Sequence, residues 1–178
     1  VSSEQTSANL KIIPSENFAE INKFKEKDPE VEIFSLDAND LISGIKSVAY
    51  AASLSDVKPE ISSIFIYQKD SQLVFVATDS FRLAEKKIKL NSGNSKNFSF
   101  IIPVRNSQEI LRIFEKTAGP VKIMVSKNRL AIKSDRVYFT TRLIEGTFPD
   151  YQQIIPKVFL AEAALDRESF LGGLRLSN

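Results

Sequence analysis

A single order of elements is written twice along this sequence, and that repetition limits the possible folds more than any other feature. VEIFSL (31–36) carries the apolar content of a strand. Asp37 or Asn39 follows, a short side-chain acceptor suited to the free amides of a helix start. Leu41, Ile45, Val48 and Ala52 then recur at helical spacing, with Ser43, Lys46 and Tyr50 on the opposite side. After Pro59 the period changes to two, which predicts strands near 62–68, 72–78 and 82–90, the first pair joined by a tight KDSQ turn. The order restarts after the loop NSGNSKN (91–97). FSFIIP (98–103) reads as a strand, and VRNSQEILRIFEK (104–116) as a helix with Ile110, Leu111 and Phe114 inward. Short strands near 120–125, 129–133 and 136–142 complete it. Strand, helix and three strands, repeated at a spacing of roughly 65 residues, predict a duplicated α+β domain with two helices packed on antiparallel sheet.

A longer period overlies this one. LDANDLISGI (36–45) aligns with LDRESFLGGL (165–174), and NFAEI (17–21) with TFPDY (147–151), in each case about 130 residues apart. The expectation is one whole repeat flanked by the end of a preceding one and the start of the next, that is, a piece of a longer repetitive protein.

Composition matters chiefly through two zeros. With no His and no Cys, disulfides, imidazole or thiolate metal sites, Ser-His-Asp triads and Cys nucleophiles are excluded. Phosphate-binding glycine loops are missing too. No apolar run approaches the roughly 18–20 residues of a membrane span, and VSSEQTSANL lacks the start of a signal peptide. A soluble, intracellular protein is therefore expected. Lys and Arg total 24 against 22 Asp and Glu, so the placement of bases says more than their number. On the second helix Arg105, Arg112 and Lys116 fall within roughly 40° of one another, with Glu109 the one acid nearby. Together with Lys46 of the first helix they would give a shallow positive face suited to phosphates. In TDSFRL (78–83), Asp79 and Arg82 read as a hydrogen-bonded tie at a strand corner. Glu30 with Glu32, and Asp135 beside Arg136, read as surface charges. Phe81, Leu83, Phe148, Pro149, Ile154 and Ile155 sit at bends and linkers, where they either close the core or line a groove for a partner's peptide.

VATDSFRLA (76–84), FIIPVRNSQEILRIFE (100–115) and TTRLIEGTFPDYQQIIPK (140–157) closely resemble the middle domain of bacterial DNA polymerase III beta subunits, the sliding clamps. The resemblance implies a complete middle domain over 31–157, the tail of a first domain with its linker over 1–30, and the start of a third over 158–178. It implies a DNA-clamp fold and a non-catalytic processivity factor without cofactor or metal. Full-length chains would close as homodimers around duplex DNA, whereas this chain alone would be monomeric. The DNA-facing residues carried over are Lys46, Lys58, Arg105 and Arg112. A groove for the short motif of the polymerase catalytic subunit, the clamp loader and other clamp-binding proteins maps onto Thr78, Ser80, Phe81, Arg82, Leu83, Pro149, Gln153 and Ile154, with Lys58 and Ile61 adjoining. Two departures stand out: Pro59 and Glu60 replace aromatic residues common after the base, and Ser80 replaces a common glycine.

Two rival readings make different demands on the fold. An enzyme would need carboxylates around Mg²⁺, so under the clamp reading no two acids should converge in a pocket. An interaction module that never meets DNA would have Arg105 and Arg112 scattered or paired away rather than exposed with Lys46.

Overall fold

The computed structural model describes residues 23–25, 28–55, 57–90 and 98–177, together with Pro14 and Glu16. The NFAEI segment and the NSGNSKN loop lie outside them. The chain forms two compact units, Val1–Gly146 and Thr147–Asn178.

In the first unit the doubled order is present throughout. The first module runs β1 (Glu32–Asp37), α1 (Ala38–Val48), β2 (Ser63–Lys69), β3 (Gln72–Thr78) and β4 (Leu83–Lys89). The second runs β5 (Ser99–Pro103), α2 (Val104–Phe114), β6 (Pro120–Val125), β7 (Arg129–Lys133) and β8 (Tyr138–Arg142). Asp37 is the N-cap of α1, its carboxylate accepting from the Asn39 amide at 2.9 Å. Leu41, Ile45, Val48 and Ala52 are all buried, as their spacing predicts. The KDSQ turn closes with Lys69 opposite Gln72, and Asp70 takes φ 55, a left-handed conformation that Asp tolerates. Several elements end earlier or start later than their patterns imply; α1 stops at Val48 and a 3-10 turn over Ala49–Ala51 follows, so Ala52 lies beyond the helix. α2 stops at Phe114 with Glu115 as its C-cap, and β8 begins at Tyr138 because the Ser134 amide bonds to the Val137 carbonyl and keeps 135–137 in the turn.

The antiparallel β-structure is divided into two four-stranded sheets rather than one continuous layer. Their orders are β1-β6-β7-β8 and β4-β3-β2-β5. Each sheet thus takes three strands from one module and the opening strand of the other. β1 pairs along β6 from Glu32 opposite Val125 to Asp37 opposite Pro120, and β5 pairs along β2. α1 and α2 lie against one another, α1 on β3 and β4, α2 on β2 and β5. One core joins both modules: Leu41, Ile45 and Val48 from α1, Ile110 and Phe114 from α2, and Ile64, Phe75, Ile102, Val121 and Ile132 from the sheets. Central β3 is buried on both faces from Leu73 to Thr78, which is why it reads as an unbroken apolar run. Gly44 lets α1 come close to it. A Cβ at Gly44 would lie 2.6 Å from two atoms of the Phe75 ring.

A short piece of the chain before β1 also lies on this unit. The Phe24 amide donates to the Tyr138 hydroxyl at 3.0 Å, and the Arg129 guanidinium stands 4.7 Å over the Phe24 ring.

The second unit holds a 3-10 turn at Tyr151–Ile154 and α3 (Arg167–Leu176). α3 begins at Asp166, whose carboxylate accepts from both the amide and the hydroxyl of Ser169. Those bonds hold the Asp166 carboxyl below its ordinary range. Among the described residues no helix is long and apolar enough to cross a membrane.

Candidate functional site

The exposed sides of α1 and α2 carry the bases anticipated for a phosphate-facing surface. Lys46, Arg105 and Arg112 are all exposed. Arg112 and Lys46 each meet an acid as well. Arg112 donates from Nε and Nη2 to one oxygen of Glu109, at 3.0 and 2.6 Å, within α2. Lys46 crosses from α1 to Glu115 on α2, Nζ to Oε1 2.9 Å. That hydrogen bond, and then the charge of Lys46, holds the Glu115 carboxyl below its ordinary value. The face therefore carries a second acid, Glu115, besides the Glu109 expected from sequence. All four side chains remain more than half exposed, so water and mobile ions reach both pairs, and such pairs add little to stability.

The Thr78–Leu83 corner is built by its own polar side chains. Thr78 Oγ1 donates to the Arg82 carbonyl at 2.8 Å and accepts from the Ser80 amide. Asp79 Oδ1 accepts from the amides of Phe81 and Arg82, each at 3.0 Å, and Oδ2 accepts from Arg82 Nε at 2.9 Å. The Phe81 amide bond, followed by the Arg82 contacts, holds the Asp79 carboxyl below its ordinary value. Asp79 is thus the tie its sequence position implied. The corner forces Ser80 to φ 77, a left-handed conformation that suits glycine better than serine. Phe81 projects almost wholly into solvent at 97% exposure, while Leu83 is half-buried. Arg82 also lies 5.9 Å over the ring of Tyr50, at the end of the first helical segment. Helical spacing puts Tyr50 on the exposed side but carries no sign of this contact.

Lys58 and Ile61 occupy the connection from α1 to β2. The Lys58 carbonyl accepts from the Ile61 and Ser62 amides, and the Pro59 carbonyl accepts from the Ser63 hydroxyl at 2.6 Å. Pro59 with its fixed φ suits this turn. Lys58 itself is exposed. Glu60 packs over Gly146, where a Cβ would lie 3.1 Å from Glu60 Cγ. Pro59 and Glu60 thus serve the turn and its seat.

Pro149, Gln153 and Ile154 belong to the second unit. Tyr151 N donates to the Pro149 carbonyl at 2.8 Å, and Gln153 Nε2 donates to Asp150 Oδ2 at 2.7 Å. Ile154 and Ile155 are exposed, whereas Phe148 is buried and meets Tyr151 edge to face. Phe148 is therefore a core residue of the linker rather than an open apolar surface.

The expectation that acids would stay apart in pockets is not met. Asp28, Glu30 and Glu145 line a cavity of about 910 Å³ near the start of β1. Four bases share its wall, Lys23, Lys25, Arg129 and Arg142, so the acids face cations. Among the described residues no group of three His, Cys, Asp or Glu side chains is placed to hold a metal ion.

Comparison with known proteins gives one family. The family model described as DNA polymerase III beta subunit, central domain, matches residues 35–150. A beta sliding clamp of Streptococcus pneumoniae is 31% identical over 160 residues, covering 89% of this chain and 41% of that protein. One from Helicobacter pylori is 29% identical over 181 residues, covering 99% of this chain and 46% of the relative. The crystal structure of the DNA polymerase III beta chain from Streptococcus pneumoniae superposes with a TM-score of 0.74 at 31% identity, covering 82% of this chain and 38% of that one. A sliding clamp structure from Bacillus subtilis gives 0.75 at 24% identity, over 82% of this chain and 37% of that one, and shows the fold. The chain spans about two fifths of the length of the curated relatives it matches. It belongs to the family of the DNA polymerase III beta subunit central domain.

Proposed function

We propose that this chain is the central part of a DNA sliding clamp, a non-catalytic processivity factor that acts in the cytoplasm. One observation carries the reading: α1 and α2, which belong to this family's central domain, lie side by side and expose bases from both helices on their outer sides. In the full-length protein Lys46, Lys58, Arg105 and Arg112 face duplex DNA without regard to sequence, since phosphate contacts supply attraction but no base readout. Residues 31–157 form the middle of three clamp domains, with 1–30 ending the first and 158–178 opening the third. Ring closure as a homodimer needs those other domains, so this chain alone stays monomeric. We assign Lys58, Ile61, Thr78, Ser80, Phe81, Arg82, Leu83, Pro149, Gln153 and Ile154 to binding the short apolar motif of the replicative polymerase, the clamp loader and other partners.

The test is topological. Full-length protein is loaded by its clamp loader onto a nicked circular duplex, and the circle is then cut. Release on cutting, with retention on the uncut circle, is the expected result. Equal retention on cut and uncut DNA would refute encirclement. The pairing of Lys46 and Arg112 with acids favours one alternative, an interaction module that does not bind DNA, which predicts no retention on either form.

A further inference from the structure

Resting on the clamp reading, we infer that Glu109 and Glu115 are built-in counter-ions which compete with DNA phosphates for Arg112 and Lys46 and so keep the clamp's grip on DNA loose. The pairs are placed for competition rather than for support. Glu115 caps the C-terminal end of α2, where the helix dipole favours a cation and disfavours a carboxylate. An acid there gains nothing from its own helix. What holds it is Lys46, reaching over from α1 at 2.9 Å. Glu109 takes both Nε and Nη2 of Arg112 on a single oxygen, so the guanidinium edge that would fork onto a phosphate is already engaged.

Each of the four side chains is more than half exposed. A phosphate can therefore reach the base and take the place of the carboxylate without opening any packed structure. The exchange replaces one anion by another, so the contact forms and breaks with little net change. A ring that must move along DNA is served by contacts of this kind, whereas unpaired bases would dwell on each phosphate. Glu109 and Glu115 thus tune the site without themselves touching DNA.

Salt dependence reads the effect directly. Each base that neutralises a phosphate steepens the plot of log affinity against log salt by about 0.9, which is roughly a 3-fold greater loss between 50 and 200 mM. The full-length protein and its Glu109→Gln/Glu115→Gln variant are titrated onto a fluorescent mixed-sequence duplex over a KCl series. The expected result is tighter binding at low salt and a slope steeper by roughly one to two units. Asp135→Asn/Glu30→Gln changes net charge equally but lies outside both helices, and it should leave the slope unchanged. An unaltered slope in the helix variant, or an equal change in the control, overturns the inference. A Lys46→Ala/Arg112→Ala variant separates the two claims. If it weakens binding while the glutamate variant changes nothing, the counter-ion role alone falls. If it also leaves binding unchanged, the DNA-facing assignment of these helices falls with it.

Discussion

Gly44→Ala should destabilise the protein although every helix scale favours the change. Gly44 lies within α1, and alanine in a helix interior is favoured over glycine by about 1 kcal/mol. The new methyl carbon, however, would sit 2.6 Å from Cε2 and Cζ of Phe75 and 2.8 Å from Cδ2. Carbon atoms in good contact stand about 3.5–4.0 Å apart, so roughly 1 Å must be found. The ring cannot supply it, because Phe75 is wholly buried on the central strand β3, between β2 and β4. α1 must lift from the sheet instead, loosening its contacts with β3 and β4. Overpacking of this kind costs about 1–3 kcal/mol, and three blocked ring atoms place it near the upper end. Net of the helix gain, the loss is about 2 kcal/mol, or roughly 4–8 °C in Tm for a unit of this size. Urea and thermal denaturation of the wild type, Gly44→Ala, Phe75→Leu and the double variant measure it. The double variant should be more stable than the sum of the single effects by about 1 kcal/mol or more, because the smaller side chain yields the space. Stabilisation by Gly44→Ala, or strict additivity, would refute the close-approach argument.

Ser80→Gly should stabilise the protein by about 1 kcal/mol in urea denaturation, because φ 77 is strained for any residue with a Cβ. Asp79→Asn should lower Tm at pH 7, and the deficit should shrink as pH falls below 3.8. The folded-state value of Asp79 lies below that ordinary one, so its contribution is present above 3.8 and is lost as pH drops through the folded value. Leu83→Asp in the full-length protein should abolish binding of a clamp-binding peptide in calorimetric titration while circular dichroism stays native, since Leu83 is only half-buried. Undiminished affinity in that folded variant would remove Leu83 from the groove. Tyr138→Phe removes the acceptor of the Phe24 amide, at a cost of about 0.5–1.5 kcal/mol locally, and should speed protease cleavage near residues 23–25 without changing Tm by more than a few degrees.

Local order was legible in the sequence wherever one physical rule decides the outcome. Helical spacing buried Leu41, Ile45 and Val48; a short acceptor before the stripe made Asp37 a cap; opposite charges in a corner made Asp79 and Arg82 a tie. Pairing was not legible. A period of two tells which side chains share a face but not which strand lies alongside, so the exchange of β1 and β5 between modules left no trace in the pattern. The contacts of Lys46 with Glu115, Arg82 with Tyr50 and Arg129 with Phe24 are equally silent, because each joins distant positions that follow no local spacing. Glu115 in particular reads from sequence as one more charge near a helix end.

Strand exchange has a consequence for a chain made from one end to the other. β1 finds its partner only when β6 has been synthesised, about ninety residues later. At roughly 5–20 residues per second the ribosome needs on the order of 5–20 s to deliver it. Until then β1 has no strand on either edge, and unpaired edges of this kind invite pairing with other nascent chains. The β2–β3–β4 meander, made of neighbours in sequence, can form within that interval and give α1 a surface to rest on. The first half of the unit is therefore a waiting structure, finished by strands that leave the ribosome after it.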